Sequence, residues 1–337
     1  MLEKEIDKLG DILKSGKIFK IVVVPHISPD GDAAGSCSAL AILLKKLGHK
    51  VNIVSSDIFP EYLHLLKNID SAVIGKNNIS KAQQLIEEAD YIFMLDHNTY
   101  KREGVLETFI ENANAKKIII DHHLYPDAVD IVISQVGISS TCELLFKVIT
   151  KIFSEELIDT DIANSLYCGI NTDTGCFRHS SFYSDVYRVV ASLIDRGAEV
   201  DKINNYIHCN NTISRLRLLG NALLNKLEIL EDLRIAIIPI TKEELEEFDY
   251  KDGDLEGLVN MPLSLSNIDI SVQITQRKEK VKLSFRSKRD IPVNLWASNY
   301  FNGGGHRNAA GGHSFDSFES VVAQLKSSAP EFIKSLK

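Results

Sequence analysis

The stretch Ile118-Ile119-Ile120-Asp121-His122-His123 decides the reading of this chain. A β-branched apolar run ends directly in an acid and two imidazoles, as a buried parallel strand does when it delivers chemistry at its carboxyl end. Three further stretches repeat the pattern in outline. Asp96 follows Tyr91-Ile92-Phe93-Met94-Leu95, His26-Ile27-Ser28-Pro29-Asp30-Gly31-Asp32 follows the short run Ile21–Val24, and Asn171-Thr172-Asp173 ends a helical pattern over Thr160–Ile170. Strand ends of an open α/β sheet converge on one crevice, where gathered carboxylates and imidazoles repel unless a cation neutralises them. That composition fits a two-metal site for phosphoryl chemistry.

Around these motifs, strand-like and helix-like segments alternate over about the first 190 residues, the signature of βαβ units. Ala33–Leu47 reads as a helix stopped by Gly48, and Val51–Val54 as the next strand; Glu61–Lys67, Ser80–Glu88 and Thr141–Phe153 read as helices. Beyond Ser184 a helical stretch of about forty residues is expected, with Leu216, Leu219, Leu223 and Leu224 as its apolar stripe. Leu233–Ile240, Ile268–Gln276 and Lys280–Arg286 read as strands, the last two as a hairpin. Gly303-Gly304-Gly305-His306 reads as a glycine-rich turn, and Phe318–Leu336 as a closing amphipathic helix. The expectation is therefore an α/β chain: a parallel-sheet metal-binding domain (1–190), a helical connector (191–228) and a smaller α/β domain with a mixed sheet (229–337).

Bulk properties narrow the class. A hydrophobic share of 44% with 25% charged residues is that of a globular protein with a core, and a net charge of −8 argues against coating long nucleic acid by global electrostatics. Cys37, Cys142, Cys168, Cys176 and Cys209 show no paired spacing and read as thiols of a reducing compartment. No apolar run approaches the ~20 residues of a membrane span. The expected location is cytoplasmic, with no membrane partner.

His26, Asp30 and Asp32 share one loop, bent by Pro29 and Gly31, and the amides of the helix that follows add positive potential beside them. The plainer reading makes Asp32 a helix N-cap. Asp96 and Asp173 taken singly could be loop caps, and His97 is ambiguous. The oxygen-and-imidazole donor set, without cysteine, favours Mn²⁺, Mg²⁺ or Zn²⁺, and an aspartate on a central strand, such as Asp96, is the natural bridge between two ions.

In this order the motifs resemble the DHH phosphoesterase superfamily, named for the triplet seen here as Asp121-His122-His123. The second half resembles the DHH-associated domain, whose hallmark appears as Gly303-Gly304-Gly305-His306-Arg307-Asn308-Ala309-Ala310-Gly311, with Ser284-Phe285-Arg286-Ser287 as a further match. The likeness implies two divalent ions, Mn²⁺ foremost. His26, Asp30 and Asp96 would hold one; Asp32, Asp96, His122 and Asp173 would hold the other. It implies a catalytic, phosphate-facing His123 in the triplet with Asp121, and a substrate-placing Arg102, whose plainer alternative is a surface salt bridge with Glu103 or Glu107. Arg286, Gly303, Gly304, Gly305 and His306 would bind substrate, with the second domain folded over the first. His97 departs from the usual small or polar residue after the second-motif aspartate.

The two-domain layout looks most like the NrnA-type nanoRNases, which are RecJ-like in the catalytic core. That likeness implies hydrolysis of short RNA oligonucleotides and of 3′-phosphoadenosine 5′-phosphate (pAp), with cyclic di-AMP or pApA as the alternative and a homodimer compatible with it. A type II inorganic pyrophosphatase shares the first-domain chemistry, but Gly303–Gly311 argues against it, since pyrophosphate has no base or ribose to read. An inactive nucleotide-binding module predicts gaps in the ligand set, and none is visible.

Overall fold

The computed structural model describes residues 2–178, 184–209 and 211–336. The chain divides into two units, Met1–Asn210 and Asn211–Lys337, with one six-stranded sheet in each.

Six parallel strands form the first sheet: β1 (Lys20–Pro25), β2 (Lys50–Ser55), β3 (Val73–Ile74), β4 (Tyr91–Leu95), β5 (Lys116–Asp121) and β6 (Ile131–Ser134), ordered β3-β2-β1-β4-β5-β6. Period-two alternation sends Ile21, Val23, Phe93, Leu95, Ile118 and Ile120 into one apolar layer, and Val22, Val24, Ile92, Met94 and Ile119 into the other. Both faces are buried, which is why these runs carry so few polar residues. The helices are α1 (Leu2–Leu13), α2 (Gly31–Lys46), α3 (Ile79–Glu87), α4 (Glu107–Asn112), α5 (Thr141–Ile152), α6 (Thr160–Asp173), α7 (Ser184–Asp195) and α8 (Val200–His208). Ala82 and Ile86 of α3 and Ile110 of α4 cover one face; α1, α2, α5, α6 and α7 cover the other. The winding reverses between β1 and β4, and this switch point leaves a crevice at their carboxyl ends. His26 follows β1 directly, and Asp96 follows β4.

In the second unit, α9 (Ile213–Asn221) precedes β7 (Glu228–Leu230), β8 (Ile235–Ile240), α10 (Lys242–Glu247), β9 (Ile270–Gln276), β10 (Val281–Ser287), α11 (Val293–Tyr300), β11 (Gly304–His306), β12 (Ala309–Ser314) and α12 (Phe318–Ser335). The sheet order is β11-β12-β10-β9-β8-β7, with β8 and β9 parallel and the other pairs antiparallel. Val272, Ile274, Leu283 and Phe285 pack on Trp296 and Phe332, whose rings stack 4.9 Å apart. The Trp296 indole N–H donates to Ser328 Oγ at 3.0 Å, so its burial leaves no donor unpaired.

Four local expectations are corrected. Glu61–Lys67 is a run of tight turns rather than an α-helix: Leu66 N–H donates to the Leu63 carbonyl and Ile69 N–H to that of Leu66, and Leu63, Leu66 and Ile69 are buried three residues apart. That is the 3₁₀ period. The stretch beyond Ser184 breaks into α7, α8, α9 and a π-turn over Ala222–Lys226, interrupted at Gly197, where φ is +92°. The leucine stripe is half met: Leu219 is buried and Leu223 packs against the same core beside Leu218 and Ala222, while Leu216 and Leu224 are exposed. Neighbouring leucines allow either phase, and the pattern alone does not choose between them. The glycine-rich turn is strand β11, with its reversal at Arg307-Asn308. A Cβ on Gly303 would lie 2.1 Å from the Gly311 carbonyl oxygen, so this glycine serves close strand pairing.

Candidate metal centre

The first motif splits its two aspartates between two helix N-termini. Asp30 is the N-cap of α2, accepting from the N–H groups of Asp32 and Ala33 at 3.0 and 3.1 Å. Asp32 is therefore not the cap. It is buried and points to α5, accepting the Thr141 N–H at 2.7 Å and the Cys142 N–H at 2.9 Å. Burial, with the carboxylates of Asp96, Asp173 and Asp30 nearby, pushes Asp32 well above the usual carboxylate range. Backbone amides alone do not offset that much gathered negative charge; a divalent cation would.

Asp96 occupies the left-handed region at φ +62°, a conformation that aspartate tolerates better than most residues. Thr141 Oγ1 donates to its Oδ1 at 2.9 Å. Its two oxygens face different imidazoles: His26 Nε2 lies 3.4 Å from Oδ2, and His122 Nε2 lies 3.5 Å from Oδ1. Burial alone would raise Asp96, but His26, His122 and His123 hold it below the usual carboxylate range. Burial likewise opposes charge on His26 and His122; Asp96 with Asp30 raises the first, and Asp173 with Asp96 raises the second.

Both of these histidines turn Nδ1 to a backbone carbonyl, that of Ile27 at 2.7 Å and that of Ile138 at 3.5 Å. Nε2 is thereby aimed at the carboxylates, the orientation by which second partners fix metal-ligating histidines. Three donor groups have atoms within 4.8 Å of one another: His26, Asp30 and Asp96; Asp32, His122 and Asp173; and Asp96, His122 and His123. The Asp30 and Asp173 side chains are the open ones, at 48% and 33% exposure, so the cluster meets solvent on their side.

Asp173 arrives from a helix end rather than a strand end, at the last residue of α6. Two glycines let α6 come close enough. A Cβ on Gly31 would lie 2.2 Å from Thr172 Oγ1; one on Gly169 would lie 2.2 Å from Cys142 Sγ and 2.8 Å from Asp32 Oδ1. Any side chain at either position would wedge α2, α5 and α6 apart.

His123 is held differently from His122. Asp121, fully buried, accepts the His123 backbone N–H at 2.9 Å and faces its Nδ1 at 2.6 Å. Arg102 Nη1 lies 3.2 Å from His123 Nε2 and 3.4 Å from the Asp96 carbonyl. Both ring nitrogens are engaged, which makes His123 a poor metal ligand despite its place in the third group. Arg102 makes neither of the salt bridges that the plainer reading gave it. Glu103 turns inward to His97 instead, Nε2 to Oε1 at 2.7 Å, and His97 lies in none of the donor groups among the described residues.

In the second unit, strand register aligns Arg286, Ala309 and His306 across β10, β12 and β11, so Arg286 and His306 share one sheet face with a methyl group between them. The next row on that face is Ser284, Gly311 and Gly304. Gly304 has nothing within 4 Å of a notional Cβ, so packing does not require a glycine there. Elsewhere in the second unit, Arg277 stacks 4.4 Å over the Tyr250 ring, and Lys288 donates to the Leu265 carbonyl.

Two contributors escaped the sequence reading: the Thr141 and Cys142 amides that hold Asp32, and Glu103 as the partner of His97. Only the first had a signal. Ser140-Thr141-Cys142-Glu143 has capping-box spacing, and Ser140 Oγ does accept the Glu143 N–H, at 3.0 Å.

Comparison with known proteins places these features in a lineage. The N-terminal domain of the DHH family matches residues 20–170, and the DHHA1 domain matches residues 234–335. The chain is 26% identical to the bifunctional oligoribonuclease and PAP phosphatase NrnA of Bacillus subtilis, covering 92% of this chain and 95% of that one. It is also 26% identical to a membrane protein–large ribosomal subunit bL9 fusion protein of Onion yellows phytoplasma, over 90% of this chain but only 35% of the fusion protein's length. The crystal structure of an exopolyphosphatase-related protein from Bacteroides fragilis superposes with a TM-score of 0.94 at 36% identity, covering 99% and 98% of the two chains.

Proposed function

The chain belongs to the DHH family of phosphoesterases, and from that premise we propose that it hydrolyses short oligoribonucleotides to nucleoside monophosphates and pAp to AMP. The observation that carries the proposal is Asp96, whose two oxygens face two separate imidazole–carboxylate groups, with Arg102 and His123 beside them. The likeness to NrnA over nearly the whole of both chains supports the choice of substrate.

The residues fit two divalent cations. His26, Asp30 and Asp96 would hold one and Asp32, His122, Asp173 and Asp96 the other; oxygen and imidazole donors suit Mn²⁺ first, then Mg²⁺ or Zn²⁺. When bound, such a pair supplies a nucleophile at neutral pH and neutralises the phosphoryl oxygens. The protein's own groups place the ester. An incoming phosphoryl oxygen enters at the Arg102–His123 contact and accepts from the guanidinium, with the His123 ring held beside it by the Asp121 carboxylate at Nδ1. Asp121 is thus a positioning residue. Within the second unit, the sheet face carrying Arg286 and His306 offers donors suited to a phosphate, and bare Gly304 leaves room for a ring to lie on the backbone.

Turnover of di-, tri-, penta- and decaribonucleotides, pAp, pApA, cyclic di-AMP and polyphosphate with Mn²⁺ tests this. The shortest RNAs and pAp should be the best substrates. Preference for cyclic di-AMP or pApA would move the assignment to the alternative, and activity on polyphosphate alone would refute it.

A further inference from the structure

We infer that the buried His97–Glu103 pair is a positioning device that sets Arg102 against His123. His97 follows Asp96 directly and is wholly buried. Its ring is fixed at both nitrogens, with Nδ1–H donating to the Leu95 carbonyl at 2.8 Å and Nε2 held 2.7 Å from Glu103 Oε1. Glu103 is equally buried, and its second oxygen has no hydrogen-bond partner among the described residues. A fold that needed only to close the turn Tyr100–Leu106 would do better with an apolar side chain, as it has at fully buried Leu106.

What the pair secures is the segment around it. The Arg102 carbonyl accepts the Ile27 N–H at 2.7 Å, next to His26, and the Arg102 guanidinium reaches the Asp96 carbonyl and His123. Val105 N–H donates to Ser56 Oγ at 3.2 Å. Between them Gly104 takes φ +59° and ψ −125°, where a Cβ would lie 2.5 Å from both Ile27 Cγ2 and Ser56 Oγ. The turn is thus pressed against the first-motif loop and touches all three strand-end motifs. His97 and Glu103 are the chain neighbours of Asp96 and Arg102, so one planar ring fixes the separation of the two functional residues.

The inference rests on the phosphoesterase reading but not on which nucleotide is cleaved, so bis-p-nitrophenyl phosphate with Mn²⁺ is the assay. Wild-type turnover reports on the reading, and ratios between variants report on the inference. Asparagine mimics Nδ1 of histidine and glutamine mimics Nε2. His97→Asn keeps the Leu95 bond and loses Glu103, and should cost about 10- to 100-fold in kcat/KM, the effect of a misplaced catalytic group. His97→Gln should recover most of that loss. In an Arg102→Ala background, His97→Asn should cost no more than about twofold, because the group it places is gone. Mn²⁺ affinity, titrated directly, should be unchanged. Replacing both partners by leucine removes the polar pair without leaving a buried charge, so that variant should fold at least as stably and still lose kcat/KM. Equal losses in His97→Asn and His97→Gln, a full further loss without Arg102, lost Mn²⁺ binding, or an active double-leucine variant would each overturn the inference.

Discussion

Asp121→Asn tests the Asp121–His123–Arg102 chain most sharply, because the substitution is nearly isosteric and has no comfortable solution. Asp121 accepts twice from His123, at the backbone N–H and at Nδ1. An asparagine can keep its carbonyl on only one of them. If the carbonyl stays on Nδ1–H, the amide NH₂ meets the backbone N–H, donor against donor. If the amide flips, its NH₂ donates to Nδ1 and the ring proton moves to Nε2, where it meets Arg102 Nη1 at 3.2 Å. Either way one charge-assisted bond is lost, about 1.5–3 kcal/mol. That corresponds to about 10- to 150-fold in kcat/KM. Steady-state kinetics on a dinucleotide and on bis-p-nitrophenyl phosphate should show the loss on both, with bound Mn²⁺ unchanged, because Asp121 is in none of the donor groups. A variant within twofold of wild type, or one that loses its metal, would refute the positioning role.

Asp96→Ala should abolish turnover while the fold survives; near-wild-type activity at saturating Mn²⁺ would contradict a shared ligand. His122→Ala should lose metal and His123→Ala should keep it, as metal analysis of the two proteins will show. Gly169→Ala puts a methyl group against Cys142 and Asp32, and should cost about 1–3 kcal/mol of stability by overpacking and weaken Mn²⁺ binding. His26 and His122 are raised above 6.5 without metal, so their contribution to stability is full below that value and is lost as pH rises through the folded-state value. Cations compete with those protons, so Mn²⁺ affinity should instead climb with pH over the same window. Titration calorimetry in two buffers of different ionisation enthalpy should detect the released protons, and a flat affinity profile would count against both histidines.

The strand-end motifs were legible because burial on both faces leaves parallel strands nothing but apolar residues, and the first polar residue after the run stands out. His26, Asp96 and Asp121 were found that way. Asp173 was legible only as a motif, since the close approach that brings it in depends on Gly31 and Gly169, residues whose partners lie more than a hundred positions away or on a different helix. The role of Asp30 as cap, rather than Asp32, turned on backbone angles that composition does not specify. Glu103 was invisible for a different reason: next to an arginine, on a polar stretch, an acid reads as surface, and only the buried His97 ring shows that it is not. Gly303–Gly305 looked like a turn because glycine permits both a turn and close strand pairing.

Metal removal should leave the protein folded, and the reason lies in how the site's charge is shared without a cation. The α2 amides hold Asp30 and the α5 amides hold Asp32; Thr141 and the flanking imidazoles hold Asp96, and His123 holds Asp121. The apolar layers on either side of the sheet, moreover, are packed from aliphatic and aromatic side chains that need no cation to associate. A domain that needs its ion to build a core unfolds under chelation; this one should lose only the linkage term, about 2.7 kcal/mol when the free ion stands at 100 times its dissociation constant. Thermal unfolding with EDTA and with graded Mn²⁺ should show a cooperative transition throughout, with a midpoint that rises with the logarithm of free Mn²⁺ and recovers fully when metal is returned. Loss of the transition under EDTA would mean that the carboxylates are not held by amides and imidazoles well enough to stand together, and that the arrangement around Asp96 forms only with its ions in place.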